Sequence, residues 1–375
     1  THKPEIGGSI PPRATTNNYK KKLKYLSKIL QNIFKFFSYK IYALFHGQIT
    51  GKIKPENHSN IKNHILEKDE GIKYKIYKIK DGRLYTDRVH DLAIMINNSI
   101  VEGPSYQYRP INNASVDQNI VFSKGTPRKK KYLNGLVFSL LSGGAANDNY
   151  FHWIFDVIPR FALCEHIVNL EEVDFFLLPD LKKNYQRETL KLLNIPLEKC
   201  LSSKFYRHIQ AKEIIVTDHP YVISNDAHKD IQNIPIWISK WLKKKYTKNS
   251  ISNNSKYPKK IYINRDDSTA NMKNARLIIN EDEVKYFLEK RGFTSLKLAN
   301  FMFDEQIEIF KNAEIIVGLH GAGFANIIFC KSNTKIIEFN NTSDEKVIEN
   351  LALSNDMIYK SINSTPIKFD NKNQY

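Results

Sequence analysis

His152 and Asp156 lie four residues apart and are well placed by type and spacing for acid–base chemistry. Asn149 is a preferred N-cap residue, so the sequence predicts a helix that begins near Tyr150. On such a helix His152 and Asp156 share one face, and Asn149 lies at the end that favours an anion. A carboxylate beside an imidazole can remove a proton from a hydroxyl group. The alternative is a structural pair or a helix cap.

A turn of small residues follows an apolar strand predicted at 314–318 and precedes a predicted helix. Backbone N–H groups at the start of that helix are expected to bind a diphosphate, which the glycines would allow to approach closely. The pattern is neither a Walker A loop nor a complete G-x-G-x-x-G, so we predict neither ATP nor NAD. The alternative is a tight turn without a ligand. The candidate residues are His320, Gly321, Ala322 and Gly323 in the turn, and Asn326 in the helix.

Arg265 follows directly on the predicted strand 260–264, at the edge where open α/β sheets bind ligands. Arginine at this position suits a phosphate, although a salt bridge with one of the two following aspartates is the alternative. Arg276, on the next segment, is a second candidate for the same role. Glu338 ends another predicted strand, where its carboxylate is able to accept hydrogen bonds from a ribose.

The sequence lacks an Asp-x-Asp pair, and its three cysteines show no Cys/His metal-ligand spacing. A sugar nucleotide held through a divalent ion usually requires paired carboxylates, so we predict no metal and no cofactor. The odd number of cysteines argues against a disulfide scaffold. The sequence has no pattern of a signal peptide and no apolar run long enough to span a bilayer, so we expect a cytoplasmic protein.

Short apolar strands alternate with helical segments from about residue 72 onward. A polar, Ser/Asn-rich stretch at 247–259 interrupts the alternation and is typical of a linker. Alternation on both sides of a linker predicts an α/β fold with two parallel-sheet, Rossmann-like domains and a cleft between them. The predicted divisions are 1–70 (a helix and a linker, with 47–68 unpatterned), 71–246, 247–259 and 260–375.

The formal net charge of +18 is concentrated in three segments. Residues 1–60 carry +9, residues 128–131 carry +4 and residues 240–260 carry +8, so the rest of the chain is nearly neutral. A nucleic-acid-binding protein more often spreads its cations over a folded face. Nucleic acid is therefore not the partner that we expect.

Residues 19–46 form a predicted basic amphipathic helix. Such a helix can lie in the interface of an anionic bilayer, which would place the protein at the inner face of the cytoplasmic membrane. The alternative is a helix that packs on its own domain with its lysines in water. Apolar residues at three- and four-residue spacing define the helix, namely Leu23, Leu26, Leu30, Ile33, Phe37, Ile41 and Leu44.

Five blocks in a fixed order resemble glycosyltransferase family 61, which includes bacterial capsule and surface-polysaccharide transferases. The blocks are N-Y-F-H-W-I-F-D-V-I-P-R, K-I-Y-I-N-R, A-R-L-I-I-N-E-D-E, F-x-E-Q-I-x-I-F-x-x-A-E-I-I-V-G-L-H-G-A-G-F-A-N and I-I-E, spread over roughly 130–345. The resemblance implies a GT-B fold with the nucleotide held mainly by the C-terminal domain. It also implies inverting, metal-independent transfer from a nucleotide sugar, most often a UDP-sugar, to a glycan or lipid-linked glycan acceptor.

The resemblance also implies roles for individual residues. Asp156 would be the base and His152 would orient the acceptor or the sugar. Arg265 and the turn at 320–323 would hold the diphosphate, while Asn326 and Glu338 would contact the nucleoside. Family members often carry a second basic residue where this chain has Asp266, and Arg276 would compensate for its loss.

Two other classes of protein fit parts of the sequence. A non-catalytic scaffold of a membrane-associated polysaccharide complex would keep the fold without the reaction. A nucleic-acid-binding protein would use the basic segments instead, and its binding would weaken strongly with salt.

Overall fold

The computed structural model describes the residues of this 375-residue chain that lie in the ranges 14–87, 92–106, 115–143, 148–248, 257–265, 278–340, 345–364, 367–369 and 372–374. Its α-helices are α1 (Ala14–His46), α2 (Ile120–Lys124), α3 (Tyr150–His152), α4 (Pro159–Cys164), α5 (Asn184–Leu192), α6 (Ala227–Asp230), α7 (Ile236–Tyr246), α8 (Glu281–Glu289), α9 (Phe303–Asn312) and α10 (Val347–Leu353).

The strands before the predicted linker are β1 (Gly51–Ile53), β2 (Ile61–Lys68), β3 (Ile72–Lys80), β4 (Arg83–Thr86), β5 (Leu92–Ile96), β6 (Ser99–Val101), β7 (Lys131–Ser139), β8 (Phe175–Leu178), β9 (Cys200–Ser202) and β10 (His208–Thr217). The strands after it are β11 (Lys260–Asn264), β12 (Thr294–Lys297), β13 (Ile315–Leu319), β14 (Lys335–Asn340), β15 (Ile358–Asn363), β16 (Ile367–Phe369) and β17 (Lys372–Gln374).

Within the described residues, the first ten strands form one mixed sheet. Strand β10 pairs in parallel with β7, and the parallel run continues through β8 to β9. Strands β3 and β4 pair with β10 in the antiparallel direction. The prediction of a purely parallel sheet in this half is therefore wrong, because parallel strands make up only part of it.

The segment 47–68, predicted to be a linker, contains β1 and β2. Strand β2 pairs antiparallel with β3 along its whole length, from Ile61 opposite Ile79 to Lys68 opposite Ile72. Its polar residues outnumber its apolar ones and its outer positions are exposed. An exposed strand of this kind loses the apolar run that identifies buried strands, which explains why the sequence concealed it.

Strands β11 to β15 form a second, parallel sheet in the order β12-β11-β13-β14-β15. The two strands that the sequence predicted with bounds, at 260–264 and 314–318, agree with β11 and β13 to within one residue. All of these pairs run parallel, so the carboxyl ends of β11, β13 and β14 lie at one edge. That edge carries Arg265 directly after β11 and the small-residue turn directly after β13.

The two sheets share one large hydrophobic core. Phe138 and Phe161 contribute to it from the first sheet and its covering helix, and Phe303 and Phe329 contribute from the second half. The ring of Tyr246, at the end of α7, lies 5.0 Å from that of Phe303. Each fully buried side chain of this kind contributes about 1.5–3 kcal/mol through loss of water contact, so the core holds the two halves together.

The predicted linker lies mostly outside the described residues, at positions 249–256. In the part of the chain that is described, no helix is both long and apolar enough to cross a bilayer. The mixture of helices and sheets confirms the predicted α/β class.

Candidate active site

A continuous helical segment from Tyr150 to Cys164 carries His152 and Asp156. We call the block N-Y-F-H-W-I-F-D-V-I-P-R, which contains both residues, the first motif. The Asn149 side chain caps it by accepting a hydrogen bond from the N–H of Phe151 at 2.8 Å. A π-helical turn at Trp153–Val157 separates α3 from α4. Pro159 has no N–H to donate to the carbonyl four residues earlier, which disfavours a regular α-helix here. Single π turns recur at functional sites.

His152 and Asp156 are in contact across this π turn, as their spacing predicted. Nδ1 of His152 lies 3.0 Å from Oδ2 of Asp156. The side chain of His152 is 31% exposed, whereas that of Asp156 is 5% exposed. With Nδ1 directed at the carboxylate, the other ring nitrogen, Nε2, is the one available to a bound molecule.

His219 completes a buried cluster that the sequence motifs did not reveal. Its Nε2 lies 3.6 Å from Oδ2 of Asp156. Its Nδ1 accepts the backbone N–H of Val222 at 3.2 Å, which places the proton on Nε2 and directs that proton towards Asp156. His219 follows the carboxyl end of β10 by two residues. The strand-end rule that selected Arg265 would also have marked His219 as a candidate, but would not have predicted its contact with Asp156.

The pKa values of the three groups in this cluster are shifted in different directions. Burial acts to raise the pKa of Asp156, but contacts with His152 and His219 outweigh it and hold that pKa well below its usual range. Burial acts to lower the pKa of His152, yet the neighbouring Asp156 carboxylate raises it above the ordinary value. Burial lowers the pKa of His219, so this ring faces Asp156 in its neutral form.

Arg160 fixes this helical segment to the ends of two strands. The guanidinium is fully buried. Its Nε donates to the carbonyl of Asp156 at 2.7 Å, and its Nη atoms donate to Ser142, beyond β7, and to the carbonyl of Thr217, at the end of β10. Arg160 therefore sets the position of Asp156 relative to the sheet.

A cleft of about 820 Å³ lies against His152. This is within the range of 300–1,000 Å³ typical of small-molecule sites. Asp156 and His219 lie behind His152 and are not among the residues that line it. Its lining comes from both halves of the chain, with Asp148, Asn149, Tyr150, Phe151, His152, Lys182, Lys183, Asn184, Tyr185, Glu188 and Ile231 from the first, and Arg265, Ala299, Asn300, Phe301, Met302, Gln306, His320, Gly321, Ala322, Val347 and Ile348 from the second.

Arg265 lies across the turn after β13, as its strand-end position suggested. Its Nη1 donates to the carbonyl of His320. A Cβ atom on Gly321 would lie 2.7 Å from that Nη1, so the guanidinium occupies this place because residue 321 has no side chain. The amides of Ala322 and Gly323 precede the first hydrogen bond of the 3₁₀ helix Ala322–Phe329. Arg265 and Ala322 therefore line one corner of the cleft, whereas Gly323 follows them in the turn without lining it.

His320 is held by carboxylates on both sides. Its Nδ1 lies 2.5 Å from Oε1 of Glu338, and its Nε2 lies 3.2 Å from Oε2 of Glu345. Glu338 is fully buried and also accepts a hydrogen bond from Tyr359 at 2.6 Å. Glu338 therefore lies beneath the turn, which differs from the predicted contact with a nucleoside.

Asn326 links the two halves instead of lining the cleft, where contact with a nucleoside was predicted. Its Oδ1 accepts the hydroxyl hydrogen of Tyr150 at 2.5 Å, and its Nδ2 donates to Oε1 of Gln306 at 2.9 Å. Tyr150 and Gln306 line the cleft, whereas Asn326 is fully buried. The relay fixes the first-motif helix against α9.

One candidate phosphate-binding residue and the predicted absence of a metal site remain. Arg276 lies in 266–277, outside the described residues. Among the described residues, no group of three or more His, Cys, Asp or Glu side chains is arranged to hold a metal ion.

The chain is therefore an α/β protein with a cleft lined by His152 and Arg265. His152 pairs with Asp156, and Arg265 donates to the carbonyl of His320 in the turn after β13. The family model for "Glycosyltransferase 61" matches residues 150–337, half of the chain. The chain therefore belongs to glycosyltransferase family 61. The matched region contains the first motif, Arg265 and the turn after β13.

One curated relative is an EGF domain-specific O-linked N-acetylglucosamine transferase from Gallus gallus. It is 29% identical to this chain over 82 residues, which are 20% of this chain and 15% of the relative. The likeness therefore spans a small part of each protein.

Proposed function

We propose that this glycosyltransferase moves a sugar from a nucleotide donor to a hydroxyl of a glycan acceptor, with inversion at the anomeric carbon. The observation that carries the proposal is the placement of His152, from the first half of the chain, and Arg265, from the second half, on one cleft. We propose a GT-B arrangement, with a nucleotide-binding domain at 260–375 and an acceptor domain that extends the predicted 71–246 to include β1 and β2, because both strands belong to its sheet. The carboxyl edges of parallel strands supply residues from each half, which supports this description.

We assign the general base to His152, with Asp156 as its positioning partner, which reverses the roles taken from the family resemblance. Asp156 is buried and its lowered pKa makes it a weak base. His152 faces the cleft, and the contact at Nδ1 leaves the lone pair of Nε2 for the acceptor. Nε2 takes the hydroxyl proton as the acceptor oxygen attacks the anomeric carbon. The carboxylate then stabilises the imidazolium that forms.

The departing nucleoside diphosphate gains negative charge as the bond between its phosphate oxygen and the anomeric carbon of the sugar breaks. Arg265, Lys183 and the amide of Ala322, which line the cleft, are the groups proposed to stabilise that charge. Preorganised donors at the site of developing charge lower the barrier without reorganisation. In this proposal they fulfil the role that a divalent ion fulfils elsewhere, so the reaction is metal-independent and requires no cofactor.

We propose a UDP-sugar as the donor, because the family resemblance implies it. UDP-N-acetylglucosamine is the first donor to test, since the Gallus gallus relative is named for transfer of N-acetylglucosamine. The proposed acceptor is a glycan or lipid-linked glycan in capsule or other surface polysaccharide synthesis. A cytoplasmic setting fits the three cysteines, which are free thiols.

Thermal-shift titration with UDP, GDP, CMP and short oligonucleotides tests the substrate class, followed by turnover of the matching sugar donors. Binding to the folded state raises the unfolding temperature, and the rise grows with the ratio of ligand concentration to Kd. We expect stabilisation by one nucleotide that persists in high salt, and donor turnover. Stabilisation by oligonucleotides alone, lost with salt, would contradict the proposal. Nucleotide binding without turnover would favour the non-catalytic scaffold.

A further inference from the structure

Helix α1 carries about half of the large apolar side chains that are exposed among the described residues. Residues 22–37 are exposed at every position, on all sides of the helix. Leu30 is 65% exposed and Phe34 is 69% exposed. Monomeric proteins rarely expose a large contiguous apolar patch, and such patches mark interaction sites. The packing of this helix on its own domain, the alternative left open by the sequence, is confined to its last turns.

The attachment of α1 to the body is specific and lies at its C-terminal end. Ser38 is buried, and the carbonyl of His46 accepts a hydrogen bond from Nη1 of the buried Arg83 at 3.1 Å. Tyr39 packs over Gly125, where a Cβ atom would lie 2.0 Å from the ring and the φ of +58° also favours glycine. The helix is therefore fixed at one end and projects at the other.

Charge selects the kind of partner. The helix holds seven lysines and no acidic residue. Two copies packed side by side would bring these like charges together, and the helix lacks the acidic residues that pair with lysine in helix–helix seams. An acidic surface is the complementary partner.

The distribution of aromatic side chains selects a lipid interface over a narrow protein groove. Tyr25, Phe34, Phe36, Phe37 and Phe45 are all more than half exposed and project at different angles around the axis. Aromatic and leucine side chains in combination with lysines are typical of helices that lie in the headgroup region of a bilayer. A coiled-coil partner would require a single stripe.

We propose that α1 is a docking surface for an anionic lipid bilayer, in which its apolar side chains enter the interface while its lysines contact lipid phosphates. The anchor at Ser38–His46 transmits this attachment to the catalytic body. The inference goes beyond the proposed reaction and does not rest on it, since vesicle binding is measured without substrate.

Cosedimentation of the full chain with vesicles tests the proposal. Phosphatidylcholine vesicles with 30% phosphatidylglycerol are compared with pure phosphatidylcholine. We expect binding to the anionic vesicles that weakens with salt. The charge variant is Lys24→Gln, Lys28→Gln and Lys35→Gln, and its matched control is Lys191→Gln, Lys212→Gln and Lys331→Gln, which alters exposed lysines outside α1.

We expect the charge variant to lose on the order of 100-fold in vesicle affinity, since each lysine near an anionic surface contributes about fivefold. The control variant should bind like the wild type. The apolar variant Leu30→Gln, Phe34→Gln should also lose binding, and circular dichroism should show each variant folded, because these side chains are exposed.

Three results would overturn the proposal. The first is equal binding by the charge variant and its control. The second is unchanged vesicle binding by the apolar variant. The third is absence of vesicle binding combined with a dimer in light scattering that Phe34→Gln disrupts, which would assign the surface to a second copy of this chain.

Discussion

Nδ1 of His152 lies 3.0 Å from Oδ2 of Asp156, with the histidine facing the cleft and the aspartate behind it. The pair forms because α3 continues into a π turn that keeps residues 152 and 156 on one face. This order, from cleft to imidazole to buried carboxylate, underlies the proposed mechanism and the first prediction.

Asp156→Asn should move the acid limb of the kcat/KM profile to lower pH. The Asp156 carboxylate raises the pKa of His152, so in the wild type the base becomes active only as pH rises through that raised pKa. Removal of the negative charge lowers the pKa of His152, and the limb shifts downward. The maximal rate should fall, because the imidazolium formed in the reaction loses its partner.

The control for this profile is Asp282→Asn, which alters a fully exposed carboxylate on α8. A limb that stays in place in Asp156→Asn, or moves to higher pH, would contradict the electrostatic coupling of the pair. Isothermal titration with UDP should give equal affinities for the variant and the wild type.

His219→Ala should lower kcat about 10- to 100-fold, because loss of a polar partner of a buried carboxylate costs about 1.5–3 kcal/mol. His219 acts through Asp156 and is absent from the cleft lining, so UDP affinity should not change. His219→Gln, which keeps an N–H donor, should restore part of kcat. A purely structural role would instead appear as a loss of thermal stability without this rescue.

Arg265→Ala should weaken UDP binding about 10- to 100-fold, the value of a charge-assisted hydrogen bond in free-energy terms. Gly321→Ala should produce a smaller loss, since its Cβ would displace the guanidinium without removing it. Arg291→Ala, which removes an arginine that packs over Phe287 away from the cleft, is the matched control. Calorimetry measures all three, and equal affinity in Arg265→Ala and Arg291→Ala would exclude Arg265 from the diphosphate site.

Glu338→Gln should reduce nucleotide affinity less than 10-fold and leave the preference for UDP over GDP unchanged. Glu338 is fully buried beneath His320, so its loss loosens the turn without contact with the base or the ribose. Competition binding with both nucleotides measures this preference. A change in the preference would show that Glu338 contacts the nucleoside after all.

Local pattern predicted much of the site. The spacing of His152 and Asp156 required only a helix, and Arg265 required only a strand with a defined end. Both follow from neighbouring residues in the sequence, so both were visible. The parallel sheet after residue 257 was visible for the same reason, since its strands are apolar runs between amphipathic helices.

Features that depend on tertiary packing could not be predicted from the local sequence patterns. His219 reaches Asp156 because β10 lies next to β7 in the sheet, a pairing that links residues far apart in sequence. Asn326 and Glu338 stand in recognisable motifs, but the direction of each side chain is set by contacts with Tyr150 and His320. Strand β2 was missed because its polar outer face hides its alternation.

The proposed role of His152 as the general base is tested most directly by the rate of donor turnover in His152→Ala. General-base catalysis contributes about 10²- to 10⁴-fold, so turnover at saturating donor should fall by that factor while UDP affinity stays within a few-fold of the wild type. The exposed His166 provides the control His166→Ala, which should retain wild-type turnover. Turnover by His152→Ala within threefold of the wild type would contradict the account.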